Sequence, residues 1–165
     1  MIGSIEFPWS FAADVMHILL ENIMKELLTI WEGKYKLSLT NELGVSSVEE
    51  YVLPRSIWDA IDVEVSTSNS TIPAQMARWL GSITKRGYWT AETYSYFLMH
   101  LGPIVLKGRL PPYYYDHYLQ LSNLSKLLTK LEITVDENSK IRSGLVEWVK
   151  GFERCVTSLS QYTDP

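Results

Sequence analysis

"FAADVMHILLENI", residues 11–23, follows Pro8-Trp9-Ser10 and reads as the opening of a long helix. Ser10 can cap the free N–H groups of a first helical turn. Polar residues at 14, 17, 21, 25 and 32 recur at three, four, four and seven, which is one stripe of an α-helix. Val15, Leu19, Ile23, Leu27 and Ile30 lie on the other faces. Most of the circumference is therefore apolar, and a largely buried helix is expected, stopping at Gly33. Asp14 and His17 interrupt the apolar run three residues apart, so they share a face and can touch.

The same periodicity extends along the chain. Residues 34–50 are mixed, with either a short strand or a loop and a helical turn from Ser47. "LPRSIWDAIDVEV" (53–65) places Ile57, Ile61 and Val65 on one helical face, although the alternation in "IDVEV" leaves a strand open. "STSNSTIPAQ" (66–75) is a polar loop. Thr90 is a good N-cap for "AETYSYFLMHL" (91–101), with Glu92 favourably placed in the first turn. Gly102-Pro103 is expected to break or kink that helix before "IVLKG". Pro111-Pro112 opens a further helix through residue 131, and Asp136 or Ser139 starts the last. The tail from about residue 160 is expected to fray. The expectation is an all-α fold across residues 1–165: one domain, an irregular bundle of about five to six helices, with little or no sheet.

The 165 residues suffice for a real core, and 46% apolar with 21% charged residues is ordinary for a folded protein. Net charge is −4, so the whole molecule is not an electrostatic nucleic-acid binder. The charge is uneven. Residues 1–77 carry four Lys/Arg against eleven Asp/Glu, whereas residues 78–109 carry five against one. Only that middle segment, with Arg78, Lys85, Arg86, Lys107 and Arg109, is suited to face an anion. Cys155 is the single cysteine, which excludes an internal disulfide and a multi-cysteine zinc site, and a reducing intracellular setting fits best. No stretch approaches the length of a membrane span, so no membrane partner is expected.

Candidate chemistry is sparse. A carboxylate beside an imidazole can hold its tautomer and raise its basicity, which suits Asp14 and His17 to a catalytic, metal or small-ligand site. Spacing alone favours a helix-start acid and a polar-face histidine. A three-histidine metal site would need His17, His100 and His117 to converge, and nothing in the spacing requires it. No glycine-rich phosphate loop or nucleophile elbow is present, and Cys155 reads as a small core residue. Tyr113, Tyr114 and Tyr115 follow Lys107 and Arg109, a combination on which bases can stack, although core or interface packing is the commoner use of such residues.

Several ordered blocks resemble CACTA-type (En/Spm-like) transposases, particularly the fungal members. They are "GSIEFPWSFAADVMHILLENIMKELLTIW" (3–31), "STIPAQMARWLGSI" (70–83), "GYWTAETYSYFLMHLGPIVLKGRLPPYYYDHYLQL" (87–121) and "LVEWVKGFER" (145–154). The resemblance implies that Asp14 and His17 occupy the family's D-x-x-H pair, which follows the second catalytic aspartate of an RNase H-like core. The remainder would correspond to its helical insertion. The family cuts and joins DNA with three carboxylates holding two divalent metals. The first two acids would lie upstream of this block and the third beyond the insertion. Glu92 is the only tempting substitute, and capping already explains its position.

The chain is accordingly not expected to cut DNA by itself, and no metal or cofactor is expected outside a complete transposase core. The resemblance implies a non-catalytic helical module that contacts DNA or a partner protein, nuclear if it keeps a transposase-like role. The alternatives are a self-associating protein-interaction scaffold, such as a homodimer, and a small-ligand or metal site built on Asp14 and His17.

Overall fold

The computed structural model describes residues 16–34, 49–70 and 80–157. The expected helix start at Ser10, the turn at Ser47, the tail, and candidates Asp14 and Arg78 lie outside these residues. So do the side chains of His17 and Cys155. Among the described residues the protein is all-α, without strands.

The first helix, α1, covers residues 16–31, π-wound over Met16–Met24 and α-helical over Lys25–Trp31. Leu19, Leu20, Met24, Leu27, Leu28 and Trp31 are buried, as its apolar circumference requires. Gly33 ends it with φ +68°, and its N–H donates to the Ile30 carbonyl while the Lys34 N–H donates to that of Thr29. This is a Schellman stop, which needs a left-handed residue and so favours glycine. The chain returns when the Leu53 N–H donates to the Trp31 carbonyl at 2.8 Å.

Helix α2 (Arg55–Ser68) settles the ambiguity of "IDVEV". Ile61 and Val65 are fully buried, whereas Val63 between them is exposed. The spacing used by the core is four, not two. The helix runs through Ser68, three residues into the stretch expected as a polar loop, whose residues 71–75 lie outside the described ones; the Asn69 side-chain amide then donates to the Leu80 carbonyl and accepts from the Leu80 N–H, at 2.8 and 2.7 Å. A short 3₁₀ helix follows at Ile83–Tyr88.

Helix α3 covers residues 91–105 and begins, as expected, at a Thr90 cap whose hydroxyl accepts from the Thr93 N–H. Of the break or kink expected at Gly102-Pro103, the break does not occur, and the irregularity is a widened turn just before it. The helix is α over Ala91–Tyr96, widens to π over Phe97–Leu101, and resumes as α over Gly102–Val105. In the widened turn the Gly102 N–H donates to the Phe97 carbonyl, five residues back. Counting back five from Pro103, which has no N–H, leaves the Leu98 carbonyl short of a donor. The buried Tyr118 hydroxyl supplies it at 2.9 Å. A side chain from another helix thus replaces the hydrogen bond that proline removes, and the helix runs on.

Helix α4 (Pro112–Leu128) brings that tyrosine. Its Tyr115 hydroxyl donates to the Pro103 carbonyl at 2.6 Å, and Tyr118 sits edge-on to Trp31. Helix α5 (Val135–Thr157) starts earlier than expected. Thr134 and Glu137 form a reciprocal capping box: the Glu137 N–H donates to the Thr134 hydroxyl, and the Glu137 carboxylate accepts from the Thr134 N–H. Lys130 also donates to that carboxylate, and with the Thr134 bonds it holds the Glu137 carboxyl at about 2. Buried residues from α1 to α5 form one contiguous core.

A reciprocal clasp joins α4 to α5. The His117 ring stacks on Trp148 with centroids 4.7 Å apart, and Nε2 lies 2.8 Å from the Trp148 carbonyl. A carbonyl only accepts, so Nε2 carries the proton. In return the Trp148 indole N–H donates to the His117 carbonyl at 3.1 Å. Burial holds the His117 imidazole below its ordinary range, and the bond to Trp148 offsets this only in part. The unfolded chain therefore takes up a proton before the native state does. Stability contributed by His117 in its neutral form should fall as pH drops below about 6.5. Thermal melts between mildly alkaline and mildly acidic pH should show a steeper loss for the natural protein than for a His117→Gln variant. Equal slopes would refute this.

Candidate nucleic-acid interface

The basic segment is not one surface. Arg86, counted in the sequence as a DNA-facing cation, points inward. Its guanidinium donates to both Glu32 carboxylate oxygens at 2.7 and 2.8 Å, and also to the Thr29 hydroxyl and the Ile83 carbonyl. The two side chains are only 10% and 6% exposed. Glu32, assigned from periodicity to the polar stripe of α1, is thereby drawn into the interior. Burial pushes its carboxyl up, but the bonds and charges of Arg86 and Lys34 outweigh this and hold it below the ordinary range. Arg86 is the peg that fastens the 3₁₀ helix to the end of α1.

Arg109 is likewise occupied. It makes a two-pronged ion pair with Glu64 of α2 and donates to the Val105 carbonyl at 2.6 Å. Hydrogen bonding by Arg109 holds the Glu64 carboxyl low, against a smaller effect of burial. Lys107 is exposed two residues before it. Of the five cations, then, Arg86 and Arg109 are tied into the fold, Lys85 and Lys107 face solvent, and Arg78 is outside the described residues.

Lys85 stands on the edge of a shallow cleft of about 340 Å³, lined by Gly81, Ser82, Lys85, Tyr88, Trp89 and Thr93. The cleft has a rigid floor. Trp89 is buried against Tyr94 and Phe97, and its indole N–H donates to the Gly81 carbonyl at 3.1 Å. The Tyr94 hydroxyl donates to the Arg86 carbonyl at 3.2 Å. On the α2 side the Ser82 hydroxyl donates to Asp62 at 2.7 Å. Ile83 is fully buried beneath the turn. These anchors leave Lys85 and Tyr88 pointing outward, and Tyr88 is 91% exposed. Such exposure is unusual for an aromatic ring on an otherwise clamped turn.

Tyr88 was not among the residues singled out from the sequence. Its signal was "KRGYW", two adjacent aromatics after two cations, of which either one is free to face solvent. Periodicity does not say which, because residues 83–88 are too few to define a face. The tyrosine run at 113–115, for which packing was the commoner expectation over base stacking, is mostly committed to packing. Tyr115 bonds to Pro103, Tyr114 packs edge-on to Tyr51, and Tyr113 contacts Tyr114.

Glu92 is exposed in the first turn of α3, the position its capping role requires. His100 is exposed against Tyr96, whereas His117 is engaged with Trp148. Among the described residues no three His, Cys, Asp or Glu side chains come together as metal ligands. No helix among them is long and apolar enough to cross a membrane. Comparison with family models, with characterised proteins and with solved structures gives no significant match.

Proposed function

We propose that this chain is a non-catalytic helical module that contacts DNA, with Lys85 and Tyr88 as its principal contacts. The observation that carries the reading is the pairing of an exposed ammonium and an exposed phenol ring on one clamped turn. A cation that meets phosphate beside a ring that accepts a base is the usual chemistry of a nucleic-acid strand groove. The anchoring by Arg86 and Trp89 means that little order is lost on binding. The resemblance to the helical insertion of CACTA-type transposases agrees with the reading, since such an insertion would work on DNA beside the catalytic acids rather than as one of them. Lys107 is a secondary phosphate contact.

Fluorescence anisotropy with a labelled duplex and a labelled single strand, at ~50 and ~200 mM salt, tests it. Binding should weaken as salt rises, and Lys85→Ala should reduce both affinity and salt slope, the latter by about one contact. Tyr88→Ala should weaken single-strand binding by roughly tenfold or more. Absence of binding at the lower salt, or binding indifferent to both substitutions, would refute the assignment.

A further inference from the structure

The composition of the Lys85–Tyr88 cleft bears on which form of nucleic acid it takes, an inference that rests on the DNA-binding reading above. Duplex DNA presents two rows of phosphates and keeps its base faces stacked, so proteins hold it largely through cations on the backbone. A single strand carries less charge and leaves base faces open to aromatic rings.

The cleft has an open ring and little positive charge. Lys85 is the one cation among its lining residues, because the neighbouring Arg86 is turned inward onto Glu32. Carboxylates flank it on two elements. Asp62 of α2 meets the cleft at Ser82, accepting from its hydroxyl at 2.7 Å, and Glu92 is exposed next to Thr93 in the first turn of α3. A second row of phosphates laid across this face would meet like charge. Tyr88, by contrast, is 91% exposed and offers its ring to a base.

The hydrogen-bonding groups of the lining are engaged within the protein. Besides its bond to Asp62, the Ser82 hydroxyl lies 2.8 Å from that of Thr84. The Thr93 hydroxyl lies 3.2 Å from that of Thr90, and the Gly81 carbonyl accepts from the Trp89 indole. Base edges, which carry sequence information, therefore meet few uncommitted partners, and recognition falls to the ring and the ammonium. We propose that the cleft binds single-stranded DNA in preference to duplex, with an unpaired base stacked on Tyr88, an adjacent phosphate on Lys85, and little discrimination between bases.

Fluorescence anisotropy at ~200 mM salt should compare labelled probes of about 12 nucleotides: a thymidine strand, a cytidine strand, an abasic strand with the same phosphates, and a duplex. The thymidine strand should bind roughly tenfold more tightly than the abasic strand or the duplex. Its salt slope should be about 0.7 to 1.4, the release expected from one or two phosphates of a single strand. Thymidine and cytidine strands should agree within about threefold, since they differ in their edges but not in ring size. Tyr88→Ala should bring the thymidine strand down to the abasic level, whereas Tyr88→Phe, which keeps the ring, should bind as the natural protein does. Unchanged melting temperatures confirm that neither substitution disturbs the fold. A duplex or abasic strand that binds as tightly as the thymidine strand, or Tyr88→Phe binding no better than Tyr88→Ala, would overturn the proposal while DNA binding itself stood. A difference between thymidine and cytidine above roughly tenfold would overturn the sequence tolerance. Binding of no probe even at ~50 mM salt would instead remove the DNA-binding reading, and this inference with it.

Discussion

Replacing Gly102 with alanine is expected to destabilise the fold by roughly 3 kcal/mol or more, the sum of overpacking and a displaced buried hydrogen bond. A Cβ at this position would lie 2.0 Å from the Tyr118 hydroxyl and 2.8 Å from the Phe97 carbonyl. Neither neighbour can yield cheaply. The carbonyl belongs to the widened turn of α3, and the hydroxyl is donating to the Leu98 carbonyl that Pro103 leaves short. Moving the tyrosine to admit the methyl group would therefore strand a buried acceptor.

Tyr118→Phe alone should cost about 1–3 kcal/mol by removing that donor. The double variant should be less unstable than the sum of the two, because the phenylalanine no longer carries the oxygen that clashes. Urea unfolding of the four proteins checks the cycle. Simple additivity would show that the hydroxyl is not what excludes a side chain at residue 102.

Arg86→Ala should be nearly as damaging, at roughly 3 kcal/mol, since removing one partner leaves the other as an uncompensated buried charge. Four donor contacts of the guanidinium disappear, and the Glu32 carboxylate keeps only the flanking Lys34 pair. The pH dependence identifies the pair. Because the native state holds the Glu32 carboxyl below its ordinary value, its contribution is complete above about pH 4.5 and is lost as pH falls through the lowered native value. In Arg86→Ala the same carboxylate is buried with far less compensation, so this part of the acid sensitivity should shrink or reverse. Melting temperature against pH for the two proteins measures the difference. Parallel curves would contradict the assignment. Under the proposed DNA-binding role, Arg86→Ala should also lower affinity for the labelled single strand, because it loosens the turn that displays Lys85 and Tyr88.

Much of the architecture is legible from local chemistry. The apolar circumference of α1, its stop at Gly33, the Thr90 cap and the Ile61–Val65 face of α2 follow from patterns within one or two turns of chain. Such patterns act through hydrogen bonds and burial that a helix decides for itself. The start of α5 was equally local, since "TVDE" (134–137) is a capping box, but the later acidic and serine residues compete with it as cap signals.

The tertiary structure decided everything that depended on a distant partner. Pro103 reads as a helix breaker until Tyr118, fifteen residues on, returns the missing donor. Arg86 reads as a phosphate contact until Glu32, 54 residues away in sequence, takes both its prongs. Arg109 does so until Glu64 engages it. Residue type and spacing establish which groups carry charge or lack a donor, but which opposite group lies within 3 Å is set by how the helices pack. That selection drew Arg86 and Arg109 out of the dispersed set of cations into ion pairs and left Lys85 beside Tyr88 on the rim of one cleft.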